Sequence, residues 1–419
     1  MDYQETINFL FNSLPEFQNV GASAYKEGLQ TSLCLDDHLG HAHRSFKTIH
    51  VAGTNGKGSS SQMIYEVLRE AGHHVGLYTS PHLRDFRERI VVDGEMIAEQ
   101  AVVEFVRNNR AIIESLHPSF FEMTVAMAFD YFRAQKVDIA VVEVGLGGRL
   151  DATNIITPEV SLITNIDFDH QQFLGHTLPL IAAEKAGIIK DGVPVVVGES
   201  SPMTAPVFID KARSCSAPLI FADQRYICTA QQGFHFTVYS KVEEFSFEVE
   251  LGMQGHYQAR NLCSVLACLD VLSKSVPLSR EEILGGLARA KVAGRWQTIG
   301  QQPLTICDTG HNRAGIGYVV EQLAGQHYEK LYFVIGMVSD KDTKEIMGML
   351  PKEAYYIFTQ ASTHRALAAE TLAAEGYAVG LKGEVRPGVA LALARAREMA
   401  TAEDMIFVGG STYTVAELF

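Results

Sequence analysis

The segment Gly53-Thr54-Asn55-Gly56-Lys57-Gly58-Ser59 has the residue types of a phosphate cradle. Glycines let backbone N–H groups crowd around an anion, Lys57 supplies a mobile cation, and Ser59 offers a hydroxyl for magnesium. The common pattern G-x-x-x-x-G-K-[ST] would put Ser or Thr at position 58, where this chain has Gly58. An ordinary glycine turn is the bland alternative.

Four further groups carry candidate chemistry. The apolar run Val141–Val144 contains Glu143 and leads into the glycine-rich stretch Gly145–Asn154. A carboxylate in such a run is costly unless it meets a cation, so Glu143 is a candidate for magnesium, or else a structural group holding the turn. Thr164–His170 clusters polar groups after another apolar run; His170 could ligate a metal, although a loop histidine is more often structural. In Glu184-Lys185-Ala186-Gly187, Lys185 is either a surface lysine or one whose lowered pKa lets it take up carbon dioxide as a carbamate. Asn261, in Gly255–Asn261, suits an adenine edge or a helix cap. Arg295 suits a terminal phosphate, while Asp308 and His311 suit ribose hydroxyls or phosphate oxygens, or simply hold a turn.

These residues need elements to position them, and the hydrophobic pattern supplies an α/β rhythm with a mostly parallel sheet. Strands are expected over Phe46–Ala52, Val137–Val144, Val160–Asn165 and Val193–Gly198. A helix is expected over Ser60–Ala71, from Met63, Ile64, Val67 and Leu68 at helical spacing, so the glycines fall in a strand-to-helix turn. Alternation in Phe234–Leu251 predicts an antiparallel edge hairpin. A second rhythm follows Trp296, with strands over Leu304–Cys307, Leu331–Gly336, Tyr355–Thr359 and Met405–Val408, which puts a domain boundary and a hinge near Gly294–Gln301.

The chain has 419 residues, enough for two or three domains. Its 35 basic and 49 acidic residues give a formal charge of −14, which argues against a broad nucleic-acid surface and for small-molecule partners. Six cysteines without a C-x-x-C pair suggest reduced core thiols. Met1–Phe17 has no basic residue, so it lacks the charged start of a secretory signal, and no uncharged apolar stretch is long enough to cross a bilayer. The expected location is the cytoplasm.

Several motifs, in order along nearly the whole chain, resemble the folylpolyglutamate synthase and dihydrofolate synthase family of the Mur-ligase superfamily. They are Gly53–Ser59, Thr79-Ser80-Pro81-His82-Leu83, Phe121-Glu122, Leu146–Asn154 as L-G-G-R-L-D-A-T-N, Asp169-His170, Glu184–Gly187, Gly294-Arg295 and Val408–Ser411. The family pattern is G-K-G-S, which accounts for Gly58 and moves the metal hydroxyl to Ser59. The resemblance implies a P-loop ATPase-like N-terminal domain over 1–296 with a mostly parallel sheet, binding ATP and folate. It also implies a smaller Rossmann-like α/β domain over 297–419 on the ATP and glutamate side.

The implied activity is ATP-dependent amide ligation. A pteroate or folate carboxylate takes the γ-phosphate, and L-glutamate attacks the acyl phosphate. By position, Lys57, the loop residues Gly53–Ser59, Asn261, Arg295, Asp308 and His311 would contact ATP, with Arg295 and His311 nearest the phosphates. Ser59, Ser80 and Glu143 would hold one magnesium, and His170 with a carbamylated Lys185 a second. Phe121, Asp151 and Ala152 map to the pterin region. Asp308-Thr309-Gly310-His311-Asn312-Arg313 departs from the family's usual D-G-A-H-N-P, and Asp340-Lys341-Asp342 resembles its D-K-D segment. A bifunctional enzyme acting as a monomer is the expectation. The alternatives are a folylpolyglutamate synthase alone, a P-loop NTPase or small-molecule kinase, or a nucleotide binder without turnover.

Overall fold

The computed structural model describes residues 1–14, 28–231, 233–339 and 343–419; Asp340-Lys341-Asp342 lies outside them. The chain divides into two compact units, Met1–Gly252 with Gln258–Lys291, and Met253–Tyr257 with Val292–Phe419. Both are α/β, the class expected from the sequence.

The first unit is built on eight strands: β1 (Lys47–Ala52), β2 (Val75–Tyr78), β3 (Ile90–Val92), β4 (Glu95–Met96), β5 (Ile139–Glu143), β6 (Val160–Ile163), β7 (Val195–Val197) and β8 (Leu219–Phe221). Their order is β4-β3-β2-β5-β1-β6-β7-β8. From β2 to β8 all neighbours are parallel, while β3 and β4 add an antiparallel edge. Strands β5, β6 and β7 are buried throughout, and β1 all but Lys47. A parallel sheet covered on both faces needs such continuous apolar runs, which is why these strands were visible in the sequence. The short β2–β4 carry too little pattern to stand out.

Register decides where chemistry can gather. Val51 pairs with Glu143 and Ala52 with Ile163, so β1, β5 and β6 end at one level. Their following segments leave the sheet side by side, at the carboxyl edge where open α/β sheets bind ligands. After β1 the loop helix runs from Lys57 to Glu70, one turn earlier than the hydrophobic spacing suggests. Gly56, at φ 82°, turns the chain, so Lys57, Gly58 and Ser59 form the helix's first turn rather than a loop.

The alternating run near residue 240 is not an edge of this sheet. It forms a separate antiparallel sheet of β9 (Tyr226–Ala230), β10 (His235–Ser240) and β11 (Phe245–Glu250), in the order β11-β10-β9. Its inner face buries Phe236, Val238 and Val249, and β9 packs on the helix Gln258–Leu272, where the Tyr226 hydroxyl donates to Asp270 at 2.8 Å. That third strand, with Cys228, Thr229 and Ala230, is weakly apolar, so only the hairpin was legible.

The second unit holds β12 (Gln297–Gln301), β13 (Leu304–Asp308), β14 (Leu331–Ile335), β15 (Tyr355–Phe358), β16 (Lys382–Val385) and β17 (Met405–Gly409). The order is β12-β13-β17-β14-β15-β16, parallel except for β12. Phe333 packs edge-on against Phe407 and stacks on Tyr356, forming the aromatic centre of that core. All six cysteines are free thiols, and among the described residues no helix is long and apolar enough to cross a membrane.

Candidate active site at the ends of the central strands

The phosphate loop is held by the segment that follows β6. Thr164 Oγ1 donates to the Asn55 carbonyl at 2.6 Å, and the Asn55 amide donates to Asn165 Oδ1 at 2.8 Å. Thr54 Oγ1 donates to the Asp167 carbonyl and accepts from the Asp167 amide. A Cβ on Gly53 would stand 1.8 Å from Thr164 Oγ1, so a side chain at 53 would displace that anchor. Gly56 is constrained twice, by its positive φ and by Asn261, whose Oδ1 would lie 2.1 Å from a Cβ. Asn261 sits inside its helix rather than at the cap, and donates to Gln258 Oε1 at 2.7 Å. Gln258 in turn donates to Ser59 Oγ at 3.4 Å.

Two lysines meet at one carbonyl. Lys57 Nζ donates to Gly53 O at 3.0 Å and Thr54 O at 3.2 Å, and Lys185 Nζ donates to the same Gly53 O at 2.9 Å. Lys185 is 3% exposed, so it is no surface lysine. Burial first, and then the Lys57 charge, bring its pKa down to about 7, against the opposing pull of Asp169 and Asp151. A large fraction of the amine is therefore unprotonated near neutrality.

Glu143 ends β5 beside the first turn of the loop helix: its Oε2 accepts the Ser80 amide at 3.2 Å and would lie 3.7 Å from a Cβ on Gly58. Ser59 is buried, while Ser80 is partly open. His170, in the left-handed region at φ 49°, opens the short helix Gln171–Leu174, and its Nε2 lies 3.9 Å from Asp169 Oδ1. Among the described residues no three His, Cys, Asp or Glu side chains converge as a self-sufficient metal cage. One carboxylate beside the first turn of the loop helix instead fits magnesium, which binds through one or two carboxylates together with substrate phosphates.

The glycine turn after β5 is organised by Asp151. Its Oδ2 accepts the Gly145 and Leu146 amides at 3.0 and 2.9 Å, and its Oδ1 accepts the Thr153 amide at 3.0 Å. Burial pushes this carboxyl above its ordinary value against those donors. Phe121 lies over the turn, where its Cζ would be 2.4 Å from a Cβ on Gly145. Ala152 is buried in the 3-10 turn Ala152–Ile155.

In the second unit, Asp308 ends β13 and is engaged by its own unit's donors: the Gly310 amide at 2.7 Å, the Trp296 amide at 2.8 Å and the Tyr257 hydroxyl at 2.8 Å. Burial and this carboxylate push the Tyr257 phenol well up, so it stays a donor. His311 Nδ1 lies 3.0 Å from the Thr309 carbonyl, and Asn312 caps the helix Arg313–Ala324. Arg295 is partly exposed.

Comparison with known proteins adds identity to this geometry. Residues 51–269 match the Mur ligase middle domain, and residues 294–412 match the Mur ligase, glutamate ligase domain. The folylpolyglutamate synthase of Lacticaseibacillus casei is 35% identical over 382 residues, covering 88% of this chain and 87% of its own. The chain belongs to the folylpolyglutamate synthase and dihydrofolate synthase family of Mur ligases. It is an ATP-dependent ligase. A probable bifunctional folylpolyglutamate synthase/dihydropteroate synthase of Haloferax volcanii is 34% identical over 434 residues; the ligase spans all of itself but only half of that relative. A bifunctional folylpolyglutamate synthase/dihydrofolate synthase of Yersinia pestis, solved with AMPPNP and a Mn ion, superposes with a TM-score of 0.86 at 29% identity, over 100% of this chain and 97% of that one.

Some residues that hold the candidate site together are not singled out by the sequence. Thr164, Asn165 and Asp167 were visible only as polar residues at a strand end; their strand's place next to β1 was the missing information. Gln258 and Thr153 lie inside quoted segments but carry no individual signal, since their bonds to Ser59 and His50 join parts distant in the chain.

Proposed function

We propose that this ligase adds L-glutamate to dihydropteroate and then to reduced folates, through an acyl phosphate. The observation that carries it is the pair Lys57 and Lys185 on the Gly53 carbonyl. A simple P-loop kinase or NTPase needs the first lysine but has no use for a second, buried and partly unprotonated one. A neutral Lys185 amine adds to carbon dioxide and releases a proton, leaving a carbamate that adds a carboxylate beside the phosphate loop.

In this reading the loop amides and the helix N-terminus bind the nucleotide phosphates, and Lys57 leaves its loop carbonyls to neutralise their charge. Arg295 and His311 serve the same purpose, and Asp308 and Asn261 support ATP. Ser59, Ser80 and Glu143 would hold one magnesium, with His170 and the Lys185 carbamate holding a second; the metal would neutralise charge on the transferred phosphoryl group. The acceptor carboxylate attacks the γ-phosphorus and ADP leaves; the glutamate amine then attacks the acyl carbon and phosphate leaves. Because no protein nucleophile takes part, rate enhancement rests on positioning and charge. Phe121 and the turn built by Asp151 and Ala152 form the pterin side. Residues 1–296 would then carry ATP and the pterin, and 297–419 the glutamate side. Six free thiols fit a reducing cytoplasm.

The test is phosphate release with ATP, magnesium and L-glutamate, using dihydropteroate and tetrahydrofolate as separate acceptors. Turnover is expected with each and only when glutamate is present. Activity with tetrahydrofolate alone would reduce the enzyme to a polyglutamylating one, and turnover without any amino acid would favour a kinase.

A further inference from the structure

His50 sits in the middle of β1, fully buried, three residues before the phosphate loop. Its Nε2 lies 2.8 Å from Thr153 Oγ1, and the same hydroxyl donates to Asp151 Oδ1. With the Thr153 hydrogen given to Asp151, its hydroxyl oxygen can only accept from the ring, which puts the imidazole hydrogen on Nε2. Burial, assisted by Lys190, keeps this imidazole neutral, lowering its pKa to about 3. Its Nδ1 is then a lone pair in the core, and among the described residues no hydrogen-bond partner meets it. An orphaned buried polar atom destabilises the fold, a cost that an aliphatic residue would avoid. What offsets it is the work of Nε2.

Asp151 receives four donors: the amides of Gly145 and Leu146 on Oδ2, and the amide and hydroxyl of Thr153 on Oδ1. With four donors from its own chain, this carboxylate shapes the turn. The turn is where Gly145 meets the Phe121 ring. The relay His50–Thr153–Asp151 thus runs from the strand that launches the phosphate loop to the turn that seats an aromatic ring.

We propose that His50 is a positioning residue: through Thr153 and Asp151 it locks the Gly145–Leu146 turn against Phe121 and so sets the seat of the aromatic acceptor. This rests on the folate-ligase reading above, whose own test is wild-type activity; the relay is tested by ratios of variant to wild type. Removing the hydroxyl in Thr153→Val is expected to raise the KM for the pterin acceptor about tenfold, a loss near 1.4 kcal/mol, with the KM for ATP unchanged within about twofold. Thr153→Ser keeps the hydroxyl and should restore the acceptor KM. His50→Leu should raise the acceptor KM in the same selective way.

Nitrogen-15 spectra of the imidazoles in the unmodified protein provide a readout independent of activity and of variant folding. His50 is expected as the Nε2–H tautomer. An Nδ1–H tautomer, equal rises in both KM values, or a wild-type acceptor KM in Thr153→Val would each overturn the proposal.

Discussion

Burial has taken from Lys185 the property for which lysine is usually placed in an enzyme, its permanent charge. The amine is covered on all sides, shares a carbonyl with Lys57, and is brought to about pH 7 by desolvation and that neighbour. Lys185→Ala is therefore expected to lower kcat at least about a hundredfold, as removal of a charge-stabilising group does. A short carboxylic acid that refills the space should recover part of that loss. Full activity in the alanine variant, checked by phosphate release, would remove the carbamate from the mechanism. The residue type was legible in the sequence, but its burial was not singled out. In the helix Leu178–Ala186, Ile181, Ala182 and Ala186 are buried, and Lys185 falls on that same stripe. Periodicity alone could have shown it.

At the scale of elements, the loop helix depends on a close crossing. Gly286, in the helix Arg280–Arg289, packs so tightly on the loop helix that a Cβ there would stand 2.3 Å from Val67 Cα. Alanine in place of a helical glycine gains about 1 kcal/mol of propensity, but overpacking against backbone costs about 1–3 kcal/mol. Overpacking wins, so Gly286→Ala is expected to lower the urea midpoint, and a raised midpoint would show that the crossing relaxes freely. The long buried strands were readable because burial on both faces leaves no alternation to interpret. Short edge strands such as β4, with both residues exposed, and β16, whose residues are half-buried or exposed, draw their pairing from the sheet rather than from their own residues. The site was readable in the same uneven way: motif residues stood out, whereas Thr153 and Gln258 became visible only when the fold gave them partners.

The molecule as a whole keeps neutral histidines in its interior, and this ties its stability to pH. His50 and His82 are both held to about 3, His50 by burial and then Lys190, His82 by burial and then Arg89, whose Nε donates to its ring at 2.7 Å. Between pH 6.5 and 3 the unfolded chain binds more protons at these groups than the folded one, so their contribution falls as pH falls. Buried carboxyls such as Asp151 and Glu199 are shifted upward and act in the opposite sense. A difference measurement isolates the histidine. On moving from pH 7 to pH 5, His50→Gln should gain about 2 kcal/mol relative to wild type by denaturant unfolding. A gap that does not change with pH would mean that His50 titrates normally. Thr164, Asn165, Asp167 and Asn261 fix the backbone of residues 53–56 from two other segments. The seven-residue loop is therefore not a portable cassette: grafted onto another strand–helix junction without those anchors, the same letters would spell only a glycine turn.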